Sequence, residues 1–357
     1  MRLIGASSVF NFKCYKLLLM RKLFKVVSIA LTISLSISSA VNANTLSATT
    51  STIATAKFEP LPLEASAPPG VSPEVYFDES SKTYFLYTTA EITKIYTSKD
   101  GLVWSEASNY RLPNGFDWSI VKMGENNYRL YYASIMPGVA GTVRCSQQKK
   151  ALYYATSTDL LNWSAQPGPI MDDVGCGVPH VLKKRDGKYL LYYNTITYKH
   201  GMHMQSSDDG IKWSVIPGVI SNNEYLVDPA PIEMPDGTFL MVAATGGNPQ
   251  KNELQQLQLL SSKDGISWEH RDSALYAPPG YSVLDPALKL IDGRLRIWHG
   301  YTPGMDHSKS KITSGNLTLG TGAVSSPAKQ EAKVTCAKGN KTKQVSGKCP
   351  KGFTKKK

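Results

Sequence analysis

The sequence repeats one short phrase four times, and each copy is a Ser-x-Asp turn followed by a tryptophan. The tryptophans are Trp104, Trp163, Trp213 and Trp268, which recur at intervals of 59, 50 and 55 residues. Such an interval is typical of a propeller blade rather than of a helical repeat. We therefore expect the chain to be built from repeated sheets of one kind.

A second shared phrase, a tight turn followed by an aromatic-rich strand, lies upstream of each copy. It begins near residues 82, 127, 186 and 236, and a fifth occurrence at 292 has no clear tryptophan phrase after it. Asp-Gly between apolar runs is a strong hairpin signal, because glycine tolerates a positive φ. Five starts predict an all-β, five-bladed β-propeller over about residues 67–320. We interpret 44–66 as a linker, within which a strand over 52–58 would close the ring.

The repeat also predicts where the core and the site lie. Radial repeats bury sheet faces against one another, so the repeat tryptophans and tyrosines should pack between neighbouring blades. The connections between the second and third strands are long and irregular, and they should share one face of the ring. Long loops on a rigid scaffold favour that face for a functional site. These loops are 134–150, 195–202, 245–254 and 301–311.

The charge distribution argues against a nucleic-acid partner. The net charge is +12, but residues 1–43 carry six basic and no acidic residues, and 329–357 carry ten lysines and one glutamate. The remaining body holds 24 basic and 27 acidic residues, a net charge of −3. A basic balance confined to the ends is typical of a solvated or surface-seeking tail. We interpret 321–357 as a linker and a Lys-rich tail.

The N-terminus is typical of a secretory signal peptide. A charged stretch at 21–25 precedes an apolar run of twelve residues, 26–37, which is too short to span a bilayer. Small residues at 41–43 predict cleavage, so residues 1–43 would be removed and the mature chain would begin near Asn44. Residues 1–19 are then an upstream extension or reflect a misplaced start codon. We expect a secreted or cell-surface monomer.

Four cysteines remain beyond the signal peptide: Cys145, Cys176, Cys336 and Cys349. An even number in an oxidising compartment suggests two disulfides. We expect the pairs Cys145–Cys176, in loops of adjacent blades, and Cys336–Cys349, in the tail. Free thiols are the alternative, and the spacing resembles no zinc site.

Charged and polar residues recur just before the first strand turn of every blade. They are Asp117, Asp228 and Asp285, with Ser72-Pro73-Glu74 in blade one and Gly177-Val178-Pro179-His180 in blade three. An aspartate before proline can simply bond a turn amide. Like charges that converge on one channel mouth cost stability, however, so their repetition favours function over structure.

With these motifs the chain resembles the five-bladed propellers of glycoside hydrolase families 43 and 32. The resemblance covers about residues 67–320 and rests on the blade pattern, the 157–163 phrase and the Asp-Pro pairs at 228 and 285. It implies a base or nucleophile aspartate, an orienting aspartate and an acid glutamate on the first, third and fourth blades. It also suggests a Ca²⁺ ion near the axis, although no sequence signature marks one.

This chain departs from that pattern. Its first blade has Ser72 where an aspartate is expected, but a shift by one blade restores the spacing with Asp117, Asp228 and Asp285. Asp285 then stands where the family has glutamate, and Glu74 is a rival acid. Trp118 could stack on a sugar ring, and further polar side chains could contact substrate or simply line the rim. These are Arg144, Lys199, His180, His203, His299 and His307.

The sequence therefore predicts a secreted glycoside hydrolase that acts on polysaccharide or oligosaccharide. Glycosidic cleavage needs one protonated carboxyl group and one carboxylate, and crowding of carboxylates in a channel raises one pKa enough to supply both. The alternative is a non-catalytic carbohydrate-binding or surface adhesion propeller, because no glutamate stands in register as the acid.

Overall fold

The structure is a computed structural model of the chain. It describes residues 47–135, 150–175, 177–194, 201–221, 225–248 and 251–321, and the backbone of 333–338, 341–346 and 354–355. The predicted signal peptide and its cleavage site lie outside the described residues. Within the described part, no helix is both long and apolar enough to cross a bilayer.

The predicted five-bladed, all-β propeller is confirmed. Before the first blade lie helix α1 (Thr50–Ala54) and strand β1 (Lys57–Pro60). Blade one contains β2 (Val71–Asp78), β3 (Thr83–Thr89), β4 (Ile95–Ser98) and β5 (Ser105–Glu106). Blade two contains β6 (Phe116–Gly124), β7 (Asn127–Ile135), β8 (Lys150–Ser157) and β9 (Ser164–Ala165). Blade three contains β10 (His180–Lys183), β11 (Tyr189–Asn194), β12 (Met202–Ser207) and β13 (Ser214–Ser221).

The remaining two blades follow the same antiparallel order. Blade four contains β14 (Val227–Glu233), β15 (Phe239–Thr245), β16 (Gln256–Ser262) and β17 (Trp268–His270). Blade five contains β18 (Tyr281–Ile291), β19 (Arg294–Pro303), the 3-10 turn His307–Lys309 and β20 (Lys311–Thr318). The tail contributes a separate sheet of β21 (Lys333–Lys338), β22 (Lys341–Ser346) and β23 (Thr354–Lys355).

The N-terminal strand completes the last blade. Strand β1 pairs antiparallel with β20, so that Lys57 lies opposite Thr318, and the sheet order is β1-β20-β19-β18. Closure by a strand from 44–66 was expected, but it uses Lys57–Pro60, and Thr50–Ala54 forms a helix capped by the Thr49 side chain. This pairing explains why blade five lacks a tryptophan phrase, because its outer strand is β1, from before the first blade, and no turn leads from β20 to a fourth strand.

The Ser-x-Asp phrase is a self-contained turn between the third and fourth strands. In blade one, Asp100 Oδ1 accepts hydrogen bonds from the N–H groups of Leu102 (2.8 Å) and Val103 (3.0 Å), and the Ser98 hydroxyl accepts from the Gly101 N–H (2.8 Å). The backbone donors, Leu102 first, lower the pKa of Asp100 against the opposing effect of burial. The repeat is therefore conserved in shape from blade to blade because one carboxylate satisfies two turn amides.

An aromatic residue on the second strand of one blade reaches the Ser-x-Asp turn of the next blade. In four cases the aromatic side chain donates a hydrogen bond to a carbonyl group of that turn. The pairs are Tyr87 to Leu160, Tyr131 to Gly210 (2.9 Å), Tyr192 to Gly265 (2.7 Å) and Trp298 to Gly101 (3.0 Å). The turn tryptophan packs edge-on against the same ring, as Trp268 does against Tyr192, with ring centroids 5.9 Å apart. The expected packing of repeat aromatics between blades is confirmed.

The hydrogen bond between Tyr192 and Gly265 should contribute measurably to stability. Tyr192→Phe keeps the buried ring but leaves the Gly265 carbonyl with one donor, the Trp268 Nε1–H of its own blade at 3.2 Å, so we expect the free energy of unfolding to fall by about 0.5–1.5 kcal/mol. Urea unfolding followed by tryptophan fluorescence measures this change. Tyr154→Phe is the control, because the half-buried Tyr154 hydroxyl has no hydrogen bond within the described ranges. Equal stability of the two variants would contradict the assignment.

Candidate functional site

Five residues occupy equivalent positions at the start of the innermost strands, here called the ring positions: Ser72, Asp117, Val178, Asp228 and Asp285. Val178 lies two residues before β10, and the other four lie within their strands. Four of them lie at a β-bulge and have left-handed backbone, with φ of 49°, 56°, 56° and 50° for Ser72, Asp117, Asp228 and Asp285. Aspartate tolerates this conformation better than most residues, whereas the β-branched Val178 does not adopt it. The bulge re-aims each side chain at the end of the strand that faces the long loops.

Two of the ring aspartates accept hydrogen bonds from a neighbouring blade. Asp228 Oδ1 accepts from the Val178 N–H at 2.8 Å, and Asp285 Oδ2 accepts from the Ser72 N–H (3.0 Å) and hydroxyl (2.9 Å). Gly177 permits the first contact, because a Cβ there would lie 3.0 Å from Asp228 Oδ1. The carboxyl groups therefore sit in fixed positions between blades.

The carboxyl groups of Asp228 and Asp285 are both buried, and each influences the pKa of the other. Burial raises the pKa of Asp228 well above its ordinary value, and the charges of Asp285 and Asp117 raise it further. Burial also raises the pKa of Asp285, but interactions with Asp228 and Ser72 oppose that rise, as does the nearby His307. Burial of two interacting carboxyl groups therefore favours a state in which the pair keeps a proton.

Asp117 has a cationic partner that the sequence did not reveal. Lys150, the first residue of β8, places its Nζ 2.8 Å from Asp117 Oδ2, and the same ammonium group lies 4.9 Å from the centre of the Phe116 ring. Both charged side chains are largely buried. Asp117 and Lys150 therefore form a largely buried ion pair at the ring positions.

A second charged pair joins two neighbouring blades further along the strands. Lys289 of β18 places its Nζ 3.0 Å and 3.2 Å from the two carboxylate oxygens of Glu74, and Glu74 Oε1 also accepts from the Ile120 N–H at 3.0 Å. Burial raises the pKa of Glu74, and the Lys289 charge opposes that rise. Burial and Lys289 lower the pKa of His180 to about 3, so its imidazole is neutral. Glu74 thus links blade one to blade five.

The residues around Glu74 do not fit the Ca²⁺ ion that the family resemblance suggests. Ca²⁺ takes six to eight oxygen ligands, whereas the Lys289 ammonium group already neutralises the Glu74 carboxylate, and His180, near Lys289, offers only nitrogen. Across the described ranges, no group of three or more His, Cys, Asp or Glu side chains is arranged to hold a metal ion.

Two predicted sugar contacts lie in the protein interior. The Trp118 indole is 2% exposed and packs against Tyr132, and its Nε1 donates to the Thr88 carbonyl at 3.4 Å. The His299 ring is fully buried among aromatic side chains, and burial lowers its pKa to about 4. Neither ring presents a face to a ligand in this structure, because neighbouring blades cover both.

Other predicted residues are placed differently or lie outside the described part. His307 belongs to the turn after β19 and influences Asp285, and His203 of β12 packs against Tyr193 with ring centroids 6.0 Å apart. Cys336 lies in β21. Arg144, Lys199, Cys145, Cys176 and Cys349 lie outside the described residues, so the two disulfides and these two contacts stay predictions.

Comparisons with known proteins address the fold. No known protein-family profile matches the sequence, and no curated protein matches it. The structure is similar to an exo-1,5-α-L-arabinanase from a bovine ruminal metagenomic library, at 12% identity and a TM-score of 0.54, over 73% of this chain and 99% of that one.

Two further glycosidases show the same likeness. A xylan β-1,4-xylosidase from Bacillus halodurans matches at 15% identity and a TM-score of 0.55, over 72% of this chain and 56% of that one. A GH32 β-fructofuranosidase of Bombyx mori matches at 13% identity and a TM-score of 0.52, over 74% of this chain and 62% of that one. The predicted resemblance is confirmed at the level of the fold: the chain has the five-bladed propeller of these glycosidases.

The raised pKa of Asp228 predicts how stability changes with pH. Above the ordinary aspartate pKa of about 3.9 the unfolded chain loses this proton while the folded chain keeps it. The free energy of unfolding should therefore fall as pH rises from about 4 towards the folded-state pKa. Asp228→Asn removes this loss, so chemical unfolding across pH should give a flatter profile. Asp208→Asn, at an exposed turn, should keep the wild-type slope, and equal slopes in all three proteins would contradict the shift.

Proposed function

We propose that the chain is an exported glycoside hydrolase that cleaves polysaccharide or oligosaccharide with the carboxyl groups of Asp117, Asp228 and Asp285. The observation that supports the proposal is the pair of buried, interacting carboxyl groups of Asp228 and Asp285, held by amides of neighbouring blades and near Asp117, because such a pair can offer one proton and one negative charge. Hydrolysis of a glycosidic bond needs this combination of proton donor and carboxylate.

Asp228 acts as the general acid. Its carboxyl group gives a proton to the glycosidic oxygen as the bond from that oxygen to the anomeric carbon breaks, and the bonding electrons stay on the oxygen of the leaving sugar. Asp285 assists by position: its negative charge and hydrogen bond hold the proton on Asp228 before reaction. A general acid works best when its pKa lies near the working pH, which the raised pKa of Asp228 approaches.

Asp117 acts on the anomeric carbon, and its ion pair with Lys150 holds its carboxyl group in position. As a base it takes a proton from the attacking water, and as a nucleophile it forms a glycosyl ester that water then hydrolyses. Either route consumes one water. In the first, the proton that Asp117 takes from water returns to Asp228 through solvent, and in the second Asp228, now a carboxylate, takes the proton of the water that hydrolyses the ester. Carboxyl groups roughly 6.5–9.5 Å apart correspond to the first route, and groups about 5–5.5 Å apart to the second.

The structural neighbours suggest which substrates to test first. They are named for action on arabinan, xylan and fructofuranosides, and all share this fold. Oligosaccharides of arabinose, xylose and fructose, with the matching aryl glycosides, are therefore the first substrates we would assay.

A non-catalytic carbohydrate-binding propeller is the second candidate, and one observation favours it. The ring carboxyl groups also have a structural role, since Asp228 and Asp285 accept backbone hydrogen bonds from the neighbouring blades. A binding protein could keep these aspartates for closure of the ring alone. The two candidates differ in whether a change of protonation at Asp228 affects turnover.

Asp228→Asn separates the candidates. The amide is neutral, as the protonated carboxyl group is, so the fold and carbohydrate binding should persist. The amide cannot give up a proton, so turnover of oligosaccharides should fall by about 10²–10⁴-fold. Reducing-sugar release measures turnover, and native gels containing polysaccharide measure binding. Asp208→Asn is the matched control with an exposed carboxyl group. Turnover that survives Asp228→Asn would remove Asp228 as the acid.

The alkaline limb of the pH–rate profile should depend on Asp285. The rate of the wild-type protein should fall as pH rises through the pKa of Asp228, because the acid form is lost. Asp285→Asn removes a negative charge that raises this pKa, so the alkaline limb should move to lower pH. Initial rates on an aryl glycoside between pH 4 and about 9 test this shift. An unchanged or upward-shifted limb would show that Asp285 does not hold the proton on Asp228.

A further inference from the structure

Two stacked tyrosines lie on the blade that supplies Asp285. Tyr281 and Tyr301 have ring centroids 4.4 Å apart and ring planes inclined by 14°. Tyr281 begins β18, and Tyr301 on β19 lies opposite Val283, so the two rings are diagonal neighbours across the two strands. Tyr281 precedes the bulge at Asp285, and Tyr301 pairs with Val283 on the same side of that bulge.

The outer ring of the pair is accessible. Tyr281 is 36% exposed, and Tyr301 beneath it is half-buried. The edge beside Tyr281 is formed by glycine: the Gly304 N–H donates to the Gly280 carbonyl at 2.9 Å. Among the described residues, no atom lies within 4 Å of the position that a Cβ would occupy at either glycine. A ring-shaped ligand can therefore approach without meeting a side chain there.

The inner ring is held rigidly from behind. Tyr301 packs against His299, whose ring in turn contacts Phe58 at 5.9 Å and Tyr276 at 5.8 Å between centroids. Burial raises the pKa of Tyr301, so its phenol stays neutral. A neutral aromatic surface that is fixed before binding loses little conformational entropy when a ligand stacks on it.

We infer that Tyr281 and Tyr301 form an aromatic subsite that stacks on one sugar ring of a bound oligosaccharide, remote from the bond that is cleaved. The inference rests on the proposed function and adds a substrate class, an extended neutral glycan of several units. Tyr281 lies four residues from Asp285, about 13 Å along an extended strand. A single sugar at the ring carboxyl groups would not reach it.

The stacking follows from ordinary aromatic chemistry. One face of a sugar ring carries C–H groups and is apolar, and it can cover the exposed Tyr281 ring while the hydroxyl groups stay in water. The phenol group offers a hydrogen bond at the edge of the same surface. Tyr281 thus contacts substrate, whereas Tyr301 supports Tyr281 and His299 supports Tyr301.

The test combines binding with chain-length dependence. Migration in native gels that contain arabinan, xylan or inulin measures polymer binding in the Asp228→Asn background, where the polymer stays intact. For whichever of these polymers slows migration of the parent protein, Tyr281→Ala should weaken binding by about tenfold, the size expected for loss of one aromatic contact. Tyr281→Phe keeps the ring and should bind within about twofold of the parent. Thermal unfolding of each variant checks that the fold is intact.

In the otherwise unchanged protein, the ratio of kcat/KM for a long oligosaccharide to that for a single-sugar aryl glycoside should fall about tenfold in Tyr281→Ala. Tyr110→Ala, at a partly exposed tyrosine on blade one, should keep the wild-type ratio. Weakened polymer binding without turnover by any protein would refute hydrolysis and leave the subsite standing. Parent-like binding by a folded Tyr281→Ala, or retardation by none of the three polymers, would overturn the subsite.

Discussion

Four of the five blades depend on a neighbour, because a hydrogen bond joins the second strand of each to the outer turn of the next, and in three of them the turn tryptophan packs against the same ring. The Tyr192 hydroxyl and the Trp268 ring show the arrangement, in which the turn carbonyl of Gly265 is satisfied from the adjacent sheet. A buried carbonyl without a donor would cost free energy, so the contact fixes the angle between sheets as well as their separation. Because the Ser-x-Asp turn has one shape, its carbonyl group can accept from an aromatic side chain at the same position of the preceding blade.

That fixed geometry is what permits the acidic ring. Three carboxyl groups drawn towards one axis repel one another, and their bulged, left-handed backbone adds strain of about 1–2 kcal/mol per residue. The ring meets these costs in three ways: Lys150 pairs with Asp117, a backbone amide bonds Asp228, and Asp285 shares a proton with Asp228. The outcome is a set of similar residues with unlike partners, and unlike surroundings are what set the pKa values of neighbouring carboxyl groups apart.

The repeats in the sequence predicted the blades and the ring positions, because a turn of fixed length marks both. They could not predict the partners of the carboxyl groups, since Lys150 lies 33 residues from Asp117, and Lys289 lies 215 residues from Glu74. No local pattern reports such a contact. His299 was proposed from the sequence to contact substrate or line the rim, but its ring is buried. The sequence could not show this for the same reason, since part of its cover, Phe58, comes from strand β1. Registers of remote strands decide which polar side chains face the axis.

Closure of the last blade by β1 also sets an order of assembly. Lys57 pairs with Thr318, a separation of about 260 residues, so this ladder cannot form until almost the whole propeller has been synthesised. Until then strand β1 and the face of the first sheet that packs against blade five lack their partners. Such surfaces invite pairing with other chains. A folding chain is therefore most prone to aggregation before the ring closes. Pairing of β1, which follows the short helix α1, ends that period.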